Sequence, residues 1–415
     1  MVSARRPRVV LVQPRLNMPW VFASAAEAGF DLVVVPRPGD DLSDPPAPVV
    51  GVLELDTGDP EAAIAGLRAA HARRPFQGIA TFFEAAVPFT ALAARELGLP
   101  GLPVSVAAAV RDKSAMRMVW TAAGLHSPRF RTITSPRRWS EALDLRFPVV
   151  VKPANGFSSI AVSKVDDPAH LELAVVAAWD LTRRQLGGID AVVVEEFLTG
   201  PEYAVEAMGH RGETRICTIG YKGEPQGPYF EEGVYQAPAD LPAAAVAAIE
   251  REVSAALAAI GVEDGPSHTE LRLVDGVPHV LETGARIGGS GVSSYLAKEV
   301  AGVDLVADAL RVAVGAVPHS HLRPIVARGA AANYIVPCGG QGVIAAVDGL
   351  DEVAAHPDVD HVVQMLGPGD TVRPYPDFSG YPAFVLSRHA DAKAAVAFHE
   401  QLPAMVRISY TEEGA

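Results

Sequence analysis

The chain has 415 residues, 49% of them hydrophobic, and a formal net charge of −14. That length suits two to four structural units rather than one core, and an acidic balance without a long basic run excludes a nucleic-acid footprint. The two cysteines, Cys217 and Cys338, form no CxxC pair, which excludes a disulfide scaffold or a cysteine zinc site and suits a reducing cytoplasm. No run approaches the roughly 18 apolar residues of a membrane span. The apolar run after the basic start breaks at Gln13-Pro14, too early for a signal segment. A cytoplasmic protein without membrane or nucleic-acid partners is expected.

The first hundred residues alternate between strand and helix. Apolar runs predict strands over 9–12, 32–35, 49–53 and 78–83. Helical patterns cover 20–28, ended by Gly29, then 60–73 with Pro60 in the first turn, and 85–97. Apolar strands with intervening helices imply a parallel, doubly wound sheet. No GxGxxG follows the first strand, so a dinucleotide site is not expected. Glu84, at the end of the fourth strand, either faces a cleft or caps the following helix. The Gly/Pro turn 98–103 marks a domain boundary.

Next, Arg111-Asp112-Lys113-Ser114 opens a helix that stops at Gly124. Lys113 either reaches a phosphate or lies exposed. Residues 147–165 read as a β-branched strand ending in Lys152, a small-residue loop of Asn155, Gly156, Ser158 and Ser159, and a returning strand. Such a loop brings backbone N–H groups and hydroxyls to phosphate oxygens, and a buried Lys152 needs a partner that a phosphate would supply. A hairpin with an edge lysine accounts for the segment equally well. In Val192-Val193-Val194-Glu195-Glu196-Phe197-Leu198 a buried strand meets an acidic-aromatic hinge, and Glu202 follows on the next strand. Around residue 270, two β-rich runs flank Asp275-Gly276 and predict a hairpin. It sets Glu270 near Glu282, with Arg286 just beyond. Two carboxylates beside a cation suit Mg²⁺, although glutamates on a hairpin are more often a solvated face. His268 reads first as a structural strand residue. Gly289 and Ser290, with Ser293 and Ser294, could hold a substrate carboxylate at a helix N-terminus.

In this order the segments resemble the ATP-grasp superfamily over residues 105–315, and more loosely the L-amino-acid ligases that make dipeptides. The resemblance implies an α/β and α+β multidomain chain. Residues 1–103 would form a doubly wound preATP-grasp domain, residues 104–318 an ATP-grasp domain with its small lobe at 125–198, and residues 319–415 an α+β region packed on the large lobe. It further implies that Lys113 and Lys152 hold ATP phosphates and that the loop Asn155, Gly156, Ser158, Ser159 closes over them. The Glu195 and Leu198 backbone with Phe197 would frame adenine, Glu202 the ribose, and Glu270 and Glu282 Mg²⁺ or Mn²⁺. Arg286, with Lys152, would stabilise an acyl phosphate. Small-molecule carboxylate and amine substrates, in the first instance amino acids, and a homodimer complete the expectation. A carboxylase, a kinase-like enzyme and a nucleotide-binding module without turnover are the alternatives.

Three departures from the family pattern stand out. Gly284 replaces a metal-ligating asparagine, leaving water or Thr283 to complete a metal shell. Ala161 replaces a loop glycine, so the turn there is expected to avoid a left-handed residue. No histidine follows Gly233, and His268 is the residue that could compensate as a substrate group.

Overall fold

The computed structural model describes residues 6–157, 159–186, 188–224, 229–230, 233–289, 292–373 and 380–411. The N-terminal sheet has four parallel strands in the order Val49–Val52, Asp31–Val35, Arg8–Val12, Gly78–Thr81. Its central strand is apolar at every inner position because both faces are covered. Val9 and Leu11 pack with Phe22 of the helix Pro19–Glu27, while Val10 and Val12 pack with Leu67 of the helix Pro60–Arg73. The strand predicted over 78–83 ends at Thr81, and Glu84 begins a short 3₁₀ turn before the helix Val87–Leu97.

A second, antiparallel sheet orders Phe130–Ile133, Val192–Glu196, Val149–Pro153 and Ser163–Val165. The helix Leu171–Leu181 covers one of its faces. Lys152 therefore lies on a central strand rather than an edge.

The third sheet has eight strands, antiparallel throughout. It begins with the predicted hairpin, Val277–Gly284 beside Gly265–Val274, and continues through Glu202–His210, Glu213–Tyr221 and Val234–Ala237. It then passes without a break to Ala330–Ile335, Ala383–His389 and Val359–Gln364. The C-terminal region thus shares a backbone ladder with the carboxylate hairpin. Helices Lys113–Ala122 and Ala243–Ile260 pack on one face, and Val292–Ala301 and Leu305–Ala313 on the other. Asp275 and Gly276 both have positive φ (50° and 80°), as a two-residue hairpin turn demands. Asp112 caps the helix Lys113–Ala122 by accepting from Ser114 N at 2.9 Å, which sets Lys113 in the first turn.

Candidate active site

Two cavities meet at the carboxylate hairpin. The first lies between the second and third sheets and is lined by Lys113, Lys152, Gly156, Ser159, Glu195, Phe197, Leu198, Glu202, Lys222, Glu270, Arg272 and Glu282. The second, toward the N-terminal sheet, shares Lys113, Glu270 and Glu282 and adds Glu84, Arg111, His268, Gly284, Arg286, Gly289 and Ser293. Tyr235, Asn333, Ile335, Tyr381 and Phe384 form another part of its wall.

Glu270 and Glu282 face each other directly across the hairpin. Glu270 accepts from Lys222 Nζ at 2.9 Å and lies 3.2 Å from His268 Nε2. Burial pushes its carboxyl upward, but Lys222 and then His268 outweigh that and hold it well below the usual range. Glu282 pairs with Lys113 Nζ at 3.0 Å. Among the described residues no group of three or more His, Cys, Asp or Glu side chains is placed to hold a metal. Two carboxylates on one face, beside cations, form a donor set of the kind Mg²⁺ uses when water and phosphate oxygens supply the rest. Thr283 cannot join them: its hydroxyl points to the other face and pairs with Thr269 Oγ1 at 2.8 Å.

The lysines already have protein partners. Buried Lys152 pairs with Glu195, whose other oxygen takes Arg117 Nη2 at 2.7 Å. Lys152 thus has a carboxylate partner in the protein itself. Burial lowers the Lys152 pKa against the opposing pull of Glu195. For Glu195 burial acts upward, and Arg117 with Lys152 prevails to lower it. Lys113 also donates to Gly156 O at 2.6 Å, and Arg111 donates to Asn155 O at 2.8 Å, so the loop is tied down on its carbonyl side. Ser158 and Ser290 lie outside the described residues. Ala161 has φ 57° and Ser159 φ 54°. The turn is left-handed after all, and the alanine adopts it at a steric cost that glycine would avoid.

At the hinge, the N–H groups of Glu196 and Phe197 bond Arg129 O and Pro148 O, each at 2.9 Å. The Leu198 carbonyl accepts from Arg272 Nη1 at 3.0 Å. The Phe197 ring has Arg272 over it at 4.9 Å and Lys164 at 5.1 Å. Glu202 accepts from Arg272 Nη2 at 2.8 Å and Lys222 Nζ at 2.7 Å.

In the second cavity, buried Glu84 faces the cleft rather than capping its helix. It accepts from Arg286 Nε at 2.5 Å and Arg111 Nη1 at 2.9 Å. Burial raises its pKa, but Arg286 and then Arg111 prevail and leave it lowered. His268 pairs with buried Glu206, which also accepts from Gly288 N at 3.1 Å. Burial lowers the imidazole, but Glu206 dominates and lifts it to about 9. Arg111, Arg117, Glu206, Lys222, Arg272 and Asn333 escaped the sequence reading. For two strands a signal existed: His268, Glu270 and Arg272, like Glu202 and Glu206, recur at even spacing on single faces.

A sheet-flanked cleft with cations beside paired glutamates is the arrangement that the resemblance to the ATP-grasp superfamily implies, and ATP-grasp ligases generally use ATP and Mg²⁺. A model of the ATP-grasp domain matches residues 145–294, one of the ATP-grasp N-terminal domain 22–101, and one of the L-amino acid ligase C-terminal domain 2 residues 334–411. The solved L-amino acid ligase from Bacillus licheniformis is 36% identical with TM-score 0.87, covering 99% of this chain and 100% of its own. A D-alanine–D-alanine ligase of Aromatoleum aromaticum is 32% identical over 50% of this chain, which spans 66% of that enzyme. A biotin carboxylase from Campylobacter jejuni, 16% identical with TM-score 0.72 over 97% of this chain and 92% of its own, shares the fold alone. The chain belongs to the L-amino acid ligase family and is an ATP-grasp ligase. Among its described residues no helix is long and apolar enough to cross a membrane.

Proposed function

We propose that this enzyme joins the carboxylate of one amino acid to the amine of a second, converting ATP to ADP and phosphate. The observation carrying this reading is the placement of three cations about the Glu270–Glu282 pair that the two cavities share: Lys113 lines both cavities, Lys222 the first and Arg286 the second. Triphosphate would lie in the first cavity and the substrates in the second.

A carboxylate is a poor electrophile. Its oxygen attacks the γ-phosphorus, the bond to the β-phosphate oxygen breaks, and ADP leaves. The amine lone pair then attacks the acyl carbon of the acyl phosphate, phosphate departs with the C–O bond electrons, and the nitrogen loses a proton. The amine arrives neutral, so no protein base is assigned. Charge crowds the phosphates and the oxyanion, and cations fixed beforehand are the main device against such crowding. Lys113, Lys152 and Lys222 would serve the phosphates, and Arg286 the acyl phosphate and oxyanion. Glu270 and Glu282 would hold Mg²⁺, which when bound supplies further positive charge at the phosphate oxygens. Phe197 and the hinge backbone would frame adenine, and Glu202 the ribose, with Arg272 fixing the Glu202 carboxylate. Asn155, Gly156 and the serines of their loop would cover the phosphates, and Gly289 with the following helix would approach a substrate carboxylate. A division at residues 103 and 318, and work in the cytoplasm, belong to the same proposal.

The test is phosphate release from ATP-Mg with single and paired amino acids, followed by mass spectrometry. Release that requires a pair, with a product at the summed mass less water, is expected. Bicarbonate-dependent release, or a phosphorylated product without amine, would replace this reading with a carboxylase or a kinase-like one.

A further inference from the structure

Asn333 sits in the middle of the strand Ala330–Ile335 and is 0% exposed. Both atoms of its carboxamide, Oδ1 and Nδ2, are buried without a hydrogen-bond partner among the described residues. Buried polar groups are nearly always bonded, because leaving one unbonded forfeits its interactions with water. An amide with neither end satisfied therefore calls for an explanation. The side chain lines the second cavity. Tyr235 lies directly across the ladder from it, and Ile335, Tyr381 and Phe384 complete the surrounding apolar wall. Of the charged groups of the same cavity, Arg111 and Arg286 are ion-paired around the carboxylate of Glu84, Lys113 pairs with Glu282, and Glu270 pairs with Lys222 and His268.

We infer that Asn333 is a specificity-determining residue that reads the side chain of one amino acid substrate, and that this side chain ends in a carboxamide. The inference rests on the amino-acid ligase reading above and names a substrate class for it. A donor and an acceptor on two neighbouring atoms are matched by a ligand carrying the same pair reversed, and a side-chain amide does that through two hydrogen bonds. A hydroxyl offers both roles on a single atom and leaves one end of Asn333 short. An ionised side chain would lose water against an apolar wall with no counter-charge from asparagine. The methylene stem of glutamine or asparagine suits the aromatic and aliphatic surface around the amide.

The test measures kcat and KM for phosphate release by the full chain with ATP-Mg. Glutamine is compared with methionine, and asparagine with leucine, each against a panel of second amino acids. Pockets built to hydrogen-bond a group discriminate against analogues that lack it, and glutamine should exceed methionine in kcat/KM by roughly 10- to 100-fold. Asn333→Leu should abolish that preference, chiefly through KM for the amide substrate, while methionine keeps or gains rate. Its melting temperature should not fall, because removing two unbonded polar atoms for an apolar side chain of similar size relieves a cost. Asn333→Ala should give the same substrate ranking, so the outcome does not depend on one variant folding. Equal losses for both substrates, or a lowered melting temperature with the ranking unchanged, would assign Asn333 a structural role and overturn the inference. So would a wild-type enzyme that turns over amino acid pairs without favouring amides, leaving the ligase reading intact. Absence of release with every pair, while ATP-Mg still binds, would remove the ligase reading and this inference together.

Discussion

The two cavities share Lys113, Glu270 and Glu282 but are assembled differently. The first cavity, proposed above for the nucleotide, draws most of its charged groups from neighbouring strands of two sheets. Each charge has a partner one strand or one helix away: Lys152 and Arg117 on Glu195, Arg272 and Lys222 on Glu202. The second cavity, proposed above for the substrates, gathers Glu84 from the turn after the last strand of the N-terminal sheet, Arg286 from just beyond the hairpin and Asn333 from the C-terminal strands. Its central ion pair joins residues 202 positions apart. A site built from neighbouring strands keeps its chemistry inside short motifs, whereas one built from distant segments can change its substrate while the motifs stay constant.

The sharpest way to break this contrast is Glu195→Gln. It leaves Lys152 and Arg117, 6% and 0% exposed, as buried charges without their carboxylate. A loss of about 3–5 kcal/mol is expected, read as the denaturation midpoint, together with weaker ATP-Mg binding. Unchanged stability would mean that the triad is not what holds the first cavity together.

Next in size, Arg286→Leu should lower kcat by roughly 10²- to 10³-fold, or about 2.7–4 kcal/mol, while ATP-Mg affinity measured by calorimetry stays put. Equal damage to nucleotide binding would show that the two cavities are not separable.

A third measurement removes a contribution remote from both cavities. Buried His399, beside Phe398 and Tyr334, has its pKa lowered by burial, and secondarily by His389, from 6.5 to about 4. Between those values the unfolded chain binds the extra proton, so stability should fall as pH drops through 6.5 and level off below about 4. The ceiling is about 3 kcal/mol. His399→Leu should flatten that acid limb in a denaturation series without moving the pH profile of kcat/KM; a limb that persists assigns the loss to other groups.

The smallest effect belongs to Gly284→Asn. It would restore the asparagine of the family pattern, but a Cβ there meets Glu84 Oε2 at 2.6 Å. The flexible carboxylate can yield, so stability should hold, and its contact with Arg286 should loosen. Amino-acid KM is expected to rise about tenfold, equivalent to about 1.4 kcal/mol. A gain in turnover would instead indicate that the missing ligand limits metal binding.

The same contrast explains what could be read from the chain. The doubly wound sheet, the Asp275-Gly276 hairpin and the Glu270–Glu282 pair announced themselves through apolar runs, a two-residue turn and alternation. Lys113 was placed by its capping aspartate. Arg272 and Glu206 carried a period-two signal that went unused. Asn333 carried none, because an asparagine amid Ala-Ala-Ala-Asn-Tyr-Ile means nothing until the fold sets it opposite Tyr235. The left-handed backbone at Ala161 was equally silent, since the loop imposes it against the preference of alanine.

The unbroken eight-stranded sheet also limits how the molecule can be cut. Detaching the chain after residue 318 would strip Ala330–Ile335 from Val234–Ala237 and expose a row of unpaired amides of the kind that invites aggregation. Exchanging C-terminal regions between related ligases is the obvious shortcut to new substrates. It succeeds only where the incoming strand reproduces the alignment of Tyr334 with Val234, because a slip of one residue would turn Asn333 and its neighbours to the opposite face.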